Sequence, residues 1–254
     1  MPNAFGKTTD KTYLSVDNAE ERGFLHRDYI AHCFRWTHIV KYLNEKKRYI
    51  TAEILDLGCG REYPLLKTLY TARMLPRSYV GLDVGPINPL LSSLESKSEG
   101  DHLISLYPTV TILDIPNYTL PIDPNLIVMF EVLEHVEKED GIKILEIIRD
   151  LLKENKGCIF FMSTPCYDGN NKAGNHVYEW TYNELAEQLD DMGFSLIDVW
   201  GTFASIKDYK PLMSAAKLEV FNALRSYYDS NVLSTIFAPL YPNASRNCLW
   251  MLTI

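Results

Sequence analysis

The sequence predicts an open α/β fold, a largely parallel sheet with helices on both faces. Short apolar runs alternate with amphipathic stretches through the middle of the chain. One run leads directly into a Gly-x-Gly turn, and three of the first four end in, or just before, an acidic residue. With 254 residues, 46% of them apolar or aromatic, the chain is long enough for one large core.

Element by element, the N-terminal part predicts a long amphipathic helix. Asp17-Asn-Ala-Glu20 has the form of a capping box, and Leu25, Tyr29, His32, Trp36, Ile39/Val40 and Leu43 follow at three-to-four spacing. Residues 1–16 are polar and suit a surface arm. Strands are predicted at Glu53–Leu57, Tyr79–Asp83, Val110–Asp114, Leu126–Phe130, Cys158–Ser163, Ser195–Trp200 and Cys248–Leu252. Helical spacing occupies Pro64–Arg73, Asn88–Lys97, Lys138–Lys153 and Tyr182–Met192, with Gly157 and Gly193 where helices stop. Residues 202–246 are too many for a turn, and their aromatic residues (Phe203, Tyr209, Phe221, Tyr227, Tyr228, Phe237) predict a helical insertion packed over the sheet. The expected division is therefore 1–50, arm and helix, and 51–254, the main domain with an insertion at 202–246.

Composition excludes several classes. No stretch approaches the roughly 20 apolar residues of a membrane helix. The first residues lack the apolar run of a secretory signal, so a cytoplasmic protein is expected. Five scattered cysteines without a CxxC pair argue against a disulfide framework and a thiolate zinc site. A net charge of −8 argues against broad duplex DNA binding. That acidity is unevenly placed. Residues 1–50 hold nine basic and six acidic side chains and residues 202–246 hold five and three, so both segments predicted to cover a substrate are mildly basic and a nucleotide or phosphorylated acceptor stays open.

The turn Glu53-Ile-Leu-Asp-Leu-Gly-Cys-Gly60 lets the backbone approach a ligand closely. A dinucleotide site would want a third glycine at position 63, where Tyr63 stands, which disfavours NAD. Asp83 ends the second predicted strand, where a carboxylate can accept from both hydroxyls of a ribose, and Asp114 is placed for an exocyclic amine. This suits a nucleoside without a pyrophosphate, of which S-adenosyl-L-methionine is one.

Taken together, ILDLGCG, GLD, LDI, LIVMFEVLEHV and LLKENKGCIFFMSTP form an ordered series over about residues 51–200. The series resembles that of class I S-adenosylmethionine-dependent methyltransferases. The resemblance implies a Rossmann-like, doubly wound seven-stranded sheet with an antiparallel last strand and an N-terminal helical lid. It also implies cofactor contacts from Asp56, Gly58, Cys59, Gly60, Asp83, Val84, Asp114, Ile115, Phe130 and Glu131. The family often has a third glycine two positions after the second, where this chain has Glu62.

Glu131-Val-Leu-Glu134-His135 follows the fourth strand, and in a helical turn its three polar side chains share a face. Two carboxylates and an imidazole suit Mg²⁺, Mn²⁺ or another divalent ion. His176 lies just before the helix that Thr181 is expected to cap. This combination resembles ubiquinone-pathway O-methyltransferases and small-RNA 3′-terminal 2′-O-methyltransferases. The resemblance makes Glu131, Glu134, His135 and His176 metal-ligand candidates; without metal, His135 or His176 is the candidate base, and Glu131 joins them as a catalytic candidate. A Leu-Glu-His-Val run is also widespread in metal-independent relatives.

Tyr29, Arg35 and Trp36 on the N-terminal helix are candidate substrate contacts, set against simple packing of that helix on the sheet. Ser163-Thr-Pro-Cys166 invites a covalent reading, set aside because Ser-Thr-Pro is common at this point in methyltransferases without covalent chemistry. The expected function is O-methylation of a small molecule with hydroxyl groups. The alternatives are metal-dependent 2′-O-methylation of an RNA 3′ end and a non-catalytic cofactor-binding subunit.

Overall fold

The computed structural model describes residues 27–98, 102–166, 169 and 172–254, with the side chains at 27–29 and 96–98 outside that description. The Asp17–Glu20 capping box, residues 1–16 and the Tyr29 side chain therefore lie outside the described residues.

A seven-stranded sheet forms the centre, in the order β3-β2-β1-β4-β5-β7-β6. Its strands are β1 (Glu53–Leu57), β2 (Ser78–Asp83), β3 (Leu103–Pro108), β4 (Leu126–Phe130), β5 (Ile159–Pro165), β6 (Ser195–Phe203) and β7 (Asn247–Thr253). Strands β1 to β5 pair in parallel, and β7 runs antiparallel to both β5 and β6. The chain leaves β1 toward one edge through β2 and β3, then returns to β1's other side with β4. That reversal opens a crevice beyond the carboxyl ends of β1 and β4, where open α/β sheets bind ligands.

Both faces of the sheet are covered, so side chains along the strands alternate between two cores. On one face Leu55, Leu57, Val80, Ile127, Met129 and Phe160 pack with α4 (Lys138–Glu154) and α5 (Tyr182–Asp191). On the other, Ile54, Tyr79, Val128 and Phe161 meet Trp36, Ile39 and Leu43 of α1 (Arg27–Glu45) and Leu65, Leu66 and Leu69 of α2 (Pro64–Thr71). The short α3 (Ser92–Ser98) follows β2. Thr181 caps α5 through a capping box with Glu184, as its side chain chemistry suggested. Among the described residues, no helix is long and apolar enough to cross a membrane.

One predicted strand is misplaced. Val110–Asp114 is not a strand; β3 is Leu103–Pro108, and Ile112–Asn117 forms a tight 3₁₀ turn capped by Thr111. The β-branched run buries Ile112 and Ile115 from a turn, and Pro116 within it has no N–H for a ladder. Strand β3 lies at the edge of the sheet, where Leu103 and Tyr107 remain exposed, so its pattern is weaker than that of the central strands.

Between β6 and β7 the chain forms α6 (Ile206–Tyr209), α7 (Ala215–Leu224) and α8 (Ser230–Phe237). Their satellite core joins Ala204, Tyr209, Ala238 and Tyr241, with the two tyrosine rings stacked at 4.8 Å. Gly201 on β6 lets this layer close: a Cβ there would sit 2.0 Å from Ser245 Oγ and 2.3 Å from the Ala238 carbonyl oxygen. Gly201→Ala is expected to cost roughly 3 kcal/mol and lower Tm by roughly 6–12 °C. A thermal melt indistinguishable from that of the parent protein would contradict this packing.

Candidate functional site

The site is built where β1, β2 and β4 end. Gly58 and Gly60 both adopt φ of +75°, a left-handed conformation that favours glycine. A Cβ on Gly58 would also lie 2.5 Å from Val132 Cγ2, so the turn packs directly on the segment after β4. The Gly58 and Cys59 amides donate to the Leu82 carbonyl at 2.8 and 2.9 Å, fastening the turn to β2. Asp83 completes the attachment: its two oxygens accept from the amides of Gly60 (2.8 Å) and Gly85 (2.7 Å). A carboxylate has about four lone-pair sites, so each oxygen keeps one for a ligand.

Glu62, standing where a glycine is common, is a strut. It is buried, pairs with Lys67 at 2.5 Å and accepts from Asn88, whose own carbonyl oxygen accepts from Arg61 Nε at 2.9 Å. Its charge is thus compensated on the protein side of the turn.

The remaining candidate cofactor residues divide by burial. Val84 is 71% exposed beside Asp83, and Asp114 is exposed on the 3₁₀ turn instead of at a strand end. Ile115 and Cys59 are buried, and Phe130 packs against the core beside α1 and α2. Burial pushes the Cys59 thiol up, with Asp56 and Asp83 adding to it. Asp56 lies beneath the turn on the apolar face, accepting from the Tyr79 hydroxyl, and burial pushes its carboxyl up to about 7.

After β4 the backbone turns sharply. Glu131 has φ of +56°, uncommon for a residue with a side chain and typical of functional sites held by their surroundings. Its amide donates to the Ser163 carbonyl at 2.9 Å. The carboxylate meets Arg35 Nη1 at 2.5 Å and accepts from Ser163 Oγ (2.9 Å) and Asn247 Nδ2 (3.0 Å). Arg35 is buried and also donates to Ser163 Oγ, His32 Nδ1 and the Ala31 carbonyl. Of the candidate substrate contacts, Arg35 thus points into the protein, and Trp36 is buried in the core, stacked on His32.

Glu134, His135 and His176 come together: one ligand atom from each lies within 4.8 Å of the others, and Glu131 is not in that group. Leu133–His135 forms one 3₁₀ turn. The Glu134 carbonyl accepts from Val177 at 2.6 Å and Tyr178 at 3.3 Å, docking the loop that carries His176. Buried Trp180 and capped Thr181 anchor that loop downstream.

Each imidazole has one nitrogen engaged outside the cluster. His135 Nδ1 meets the Asn175 carbonyl at 3.1 Å, and His176 Nδ1 meets Glu179. Such outer partners fix ring orientation and leave Nε2 for a metal. Burial lowers the His176 pKa, favouring the neutral ligand form. Glu134 is 1% exposed, accepts from Thr164 at 3.3 Å, and is pushed well above the carboxylate range by burial and by the Glu131 charge, a penalty that a bound cation would relieve. The donor set therefore fits a divalent ion. Cys166 is buried, which disfavours a nucleophilic role.

Residues 26–223 match the family model described as a methyltransferase domain. Similar solved structures include the small RNA methyltransferase HEN1 (TM-score 0.52, 16% identity), covering 84% of this chain and 25% of that one. This chain thus spans about a quarter of that protein's length. Another is the magnesium protoporphyrin IX methyltransferase ChlM from Synechocystis PCC 6803 with bound SAH (TM-score 0.51, 12% identity), covering 88% of this chain and 83% of that one. No curated protein matches the sequence.

The buried Asp56 generates a pH dependence of stability. Its folded pKa of about 7 exceeds the ordinary 3.8, so its penalty is absent below about pH 4, grows as the unfolded chain ionises, and is complete above about pH 7. Asp56→Asn should therefore gain on the order of 4 kcal/mol relative to the parent protein between pH 4 and pH 8 in urea titrations. A difference that stays flat over this range would contradict the assignment.

Proposed function

The chain belongs to the methyltransferase-domain family of class I S-adenosylmethionine-dependent enzymes, and from that premise we propose that it methylates a hydroxyl oxygen of an acceptor with neighbouring hydroxyls, oriented by a divalent cation. The observation that carries this reading is the Glu134–His135–His176 cluster, with both imidazoles already turned by outer partners.

S-adenosylmethionine, when bound, supplies a methyl activated by the sulfonium. Gly58 and Gly60 let the backbone approach it, Asp83 accepts from the ribose hydroxyls with its free lone pairs, and exposed Val84 offers an apolar contact to the base. Asp114, exposed on the 3₁₀ turn that follows β3, is assigned to the adenine amine. A cation held by Glu134, His135 and His176 would supply Lewis-acid contact to the acceptor hydroxyls.

In-line methyl transfer leaves the enzyme two tasks, orientation and proton removal. Glu131, clamped by Arg35, Ser163 and Asn247, holds the turn that aims the cluster. A cation held there would lower the pKa of the acceptor hydroxyl, whose proton would pass to solvent; the metal-free alternative, in which His135 or His176 is the base, is separated by the chelation test below. A ribose diol at an RNA 3′ end has the same chemistry as a small vicinal diol, and the cluster favours it equally.

Calorimetry with S-adenosylmethionine should show at least about tenfold weaker binding for Asp83→Ala, a loss of about 1.4 kcal/mol. Binding within twofold would overturn the ribose assignment. Methyl-label transfer into fractionated RNA and metabolite pools should mark a hydroxyl-bearing species, stop on treatment with EDTA and return with Mn²⁺. Full transfer after chelation would overturn the metal and leave the histidines as bases.

A further inference from the structure

At the glycine turn the chain departs from the common family pattern in charge. Where a third glycine is frequent it carries Glu62, preceded by Arg61, and both side chains are tied to Asn88 on the loop after β2. Asn88 is the hub of a clamp. Its backbone amide donates to the Arg61 carbonyl at 2.9 Å, its side-chain oxygen accepts from Arg61 Nε at 2.9 Å, and its side-chain nitrogen donates to Glu62. The Tyr63 hydroxyl adds a bond to the Pro89 carbonyl at 2.8 Å. The clamp thus joins the two segments that meet at Asp83, the glycine turn and the loop after β2.

The charge of the cofactor sets a requirement that this clamp meets. S-adenosylmethionine carries a carboxylate on its methionine part, which the acids placed at the crevice, Asp83 and Glu131 among them, would repel. Of the nearby cations, Arg35 is spent on Glu131 and Lys67 on Glu62, each at 2.5 Å. Arg61 differs. It is exposed, Asn88 engages its Nε, and its two terminal nitrogens have no partner among the described residues. A guanidinium held in this way keeps a fork that matches a carboxylate bidentately.

We propose, resting on the cofactor assignment above, that Arg61, aimed by Asn88, binds the methionine carboxylate of the cofactor through its two terminal nitrogens. Glu62 fixes the aim: by accepting from the side-chain nitrogen of Asn88 it turns the amide oxygen toward Arg61, while Lys67 compensates its charge. A third glycine would offer backbone alone, whereas this turn supplies a charged fork. Arg61 is therefore the residue that discriminates the cofactor from analogues without the carboxylate, and Asn88 is its positioning residue.

The test is calorimetry of the full chain with S-adenosylmethionine and with its decarboxylated form, which keeps the sulfonium, ribose and base. Arg61→Ala should weaken S-adenosylmethionine at least about tenfold and the decarboxylated form less than about twofold, with Arg61→Lys intermediate for the first ligand. Asp83→Ala should weaken both ligands alike, so failure of the ribose assignment and failure of this proposal give different patterns. Losses in Arg61→Ala that are equal for the two ligands, or absent for both, would overturn the proposal. If the parent protein binds neither ligand, the cofactor assignment itself falls. Adding Asn88→Ala to Arg61→Ala should cost S-adenosylmethionine binding less than about twofold more, because the two act as a unit; full additivity would remove the positioning role of Asn88. Arg61 is exposed, so its replacement leaves the core intact, which a thermal melt of the variant checks.

Discussion

The geometry of the site depends on one ion pair, between buried Arg35 and half-buried Glu131. Glu131 directly follows β4 and carries a left-handed backbone that no propensity favours. Such a conformation costs on the order of 1–3 kcal/mol and persists only where its surroundings fix it. Here they do so from four directions, with Arg35 on α1, Ser163 on β5, Asn247 on β7 and the strand itself. The net stability of a buried pair is small because both groups lose hydration, but removing one partner typically costs about 3–5 kcal/mol. Its effect here is positional: it ties the N-terminal helix to the turn that presents Glu134 and His135, as Asn247 ties the last strand.

Around that pair the electrostatics are separated by function. Asp83 fastens the glycine turn and keeps acceptor capacity toward the crevice, while Glu62 and Asp56 sit behind the turn with their own partners, Lys67 with Asn88 and Tyr79. Of the acids near the crevice, Glu134 is the buried carboxylate grouped with the two imidazoles. On the function proposed above, one side of the crevice would take a nucleoside with a ribose, and the other an oxygen nucleophile beside a cation.

Much of this was legible in the sequence because it is local. The strand-to-glycine turn at Leu57–Gly58 and the Thr181 cap follow from residues close in sequence, and the helical insertion expected at 202–246 follows from its length and aromatic residues. The edge strand was not legible: Val110–Asp114 has better β-branched content than Leu103–Pro108, and only the sheet decides which pairs with β2. Nor was the role of Arg35, read as a substrate contact on a helix surface, since its partners Glu131 and Ser163 are 96 and 128 positions away. The spacing of His176 and Glu179 could have suggested an oriented imidazole, whereas nothing local points to Asn247.

The most direct measurement is anomalous scattering from a crystal of the protein soaked in Mn²⁺. The expected result is one peak within coordination distance of Glu134, His135 and His176, with Glu131 still on Arg35. No peak at the cluster would contradict the metal reading.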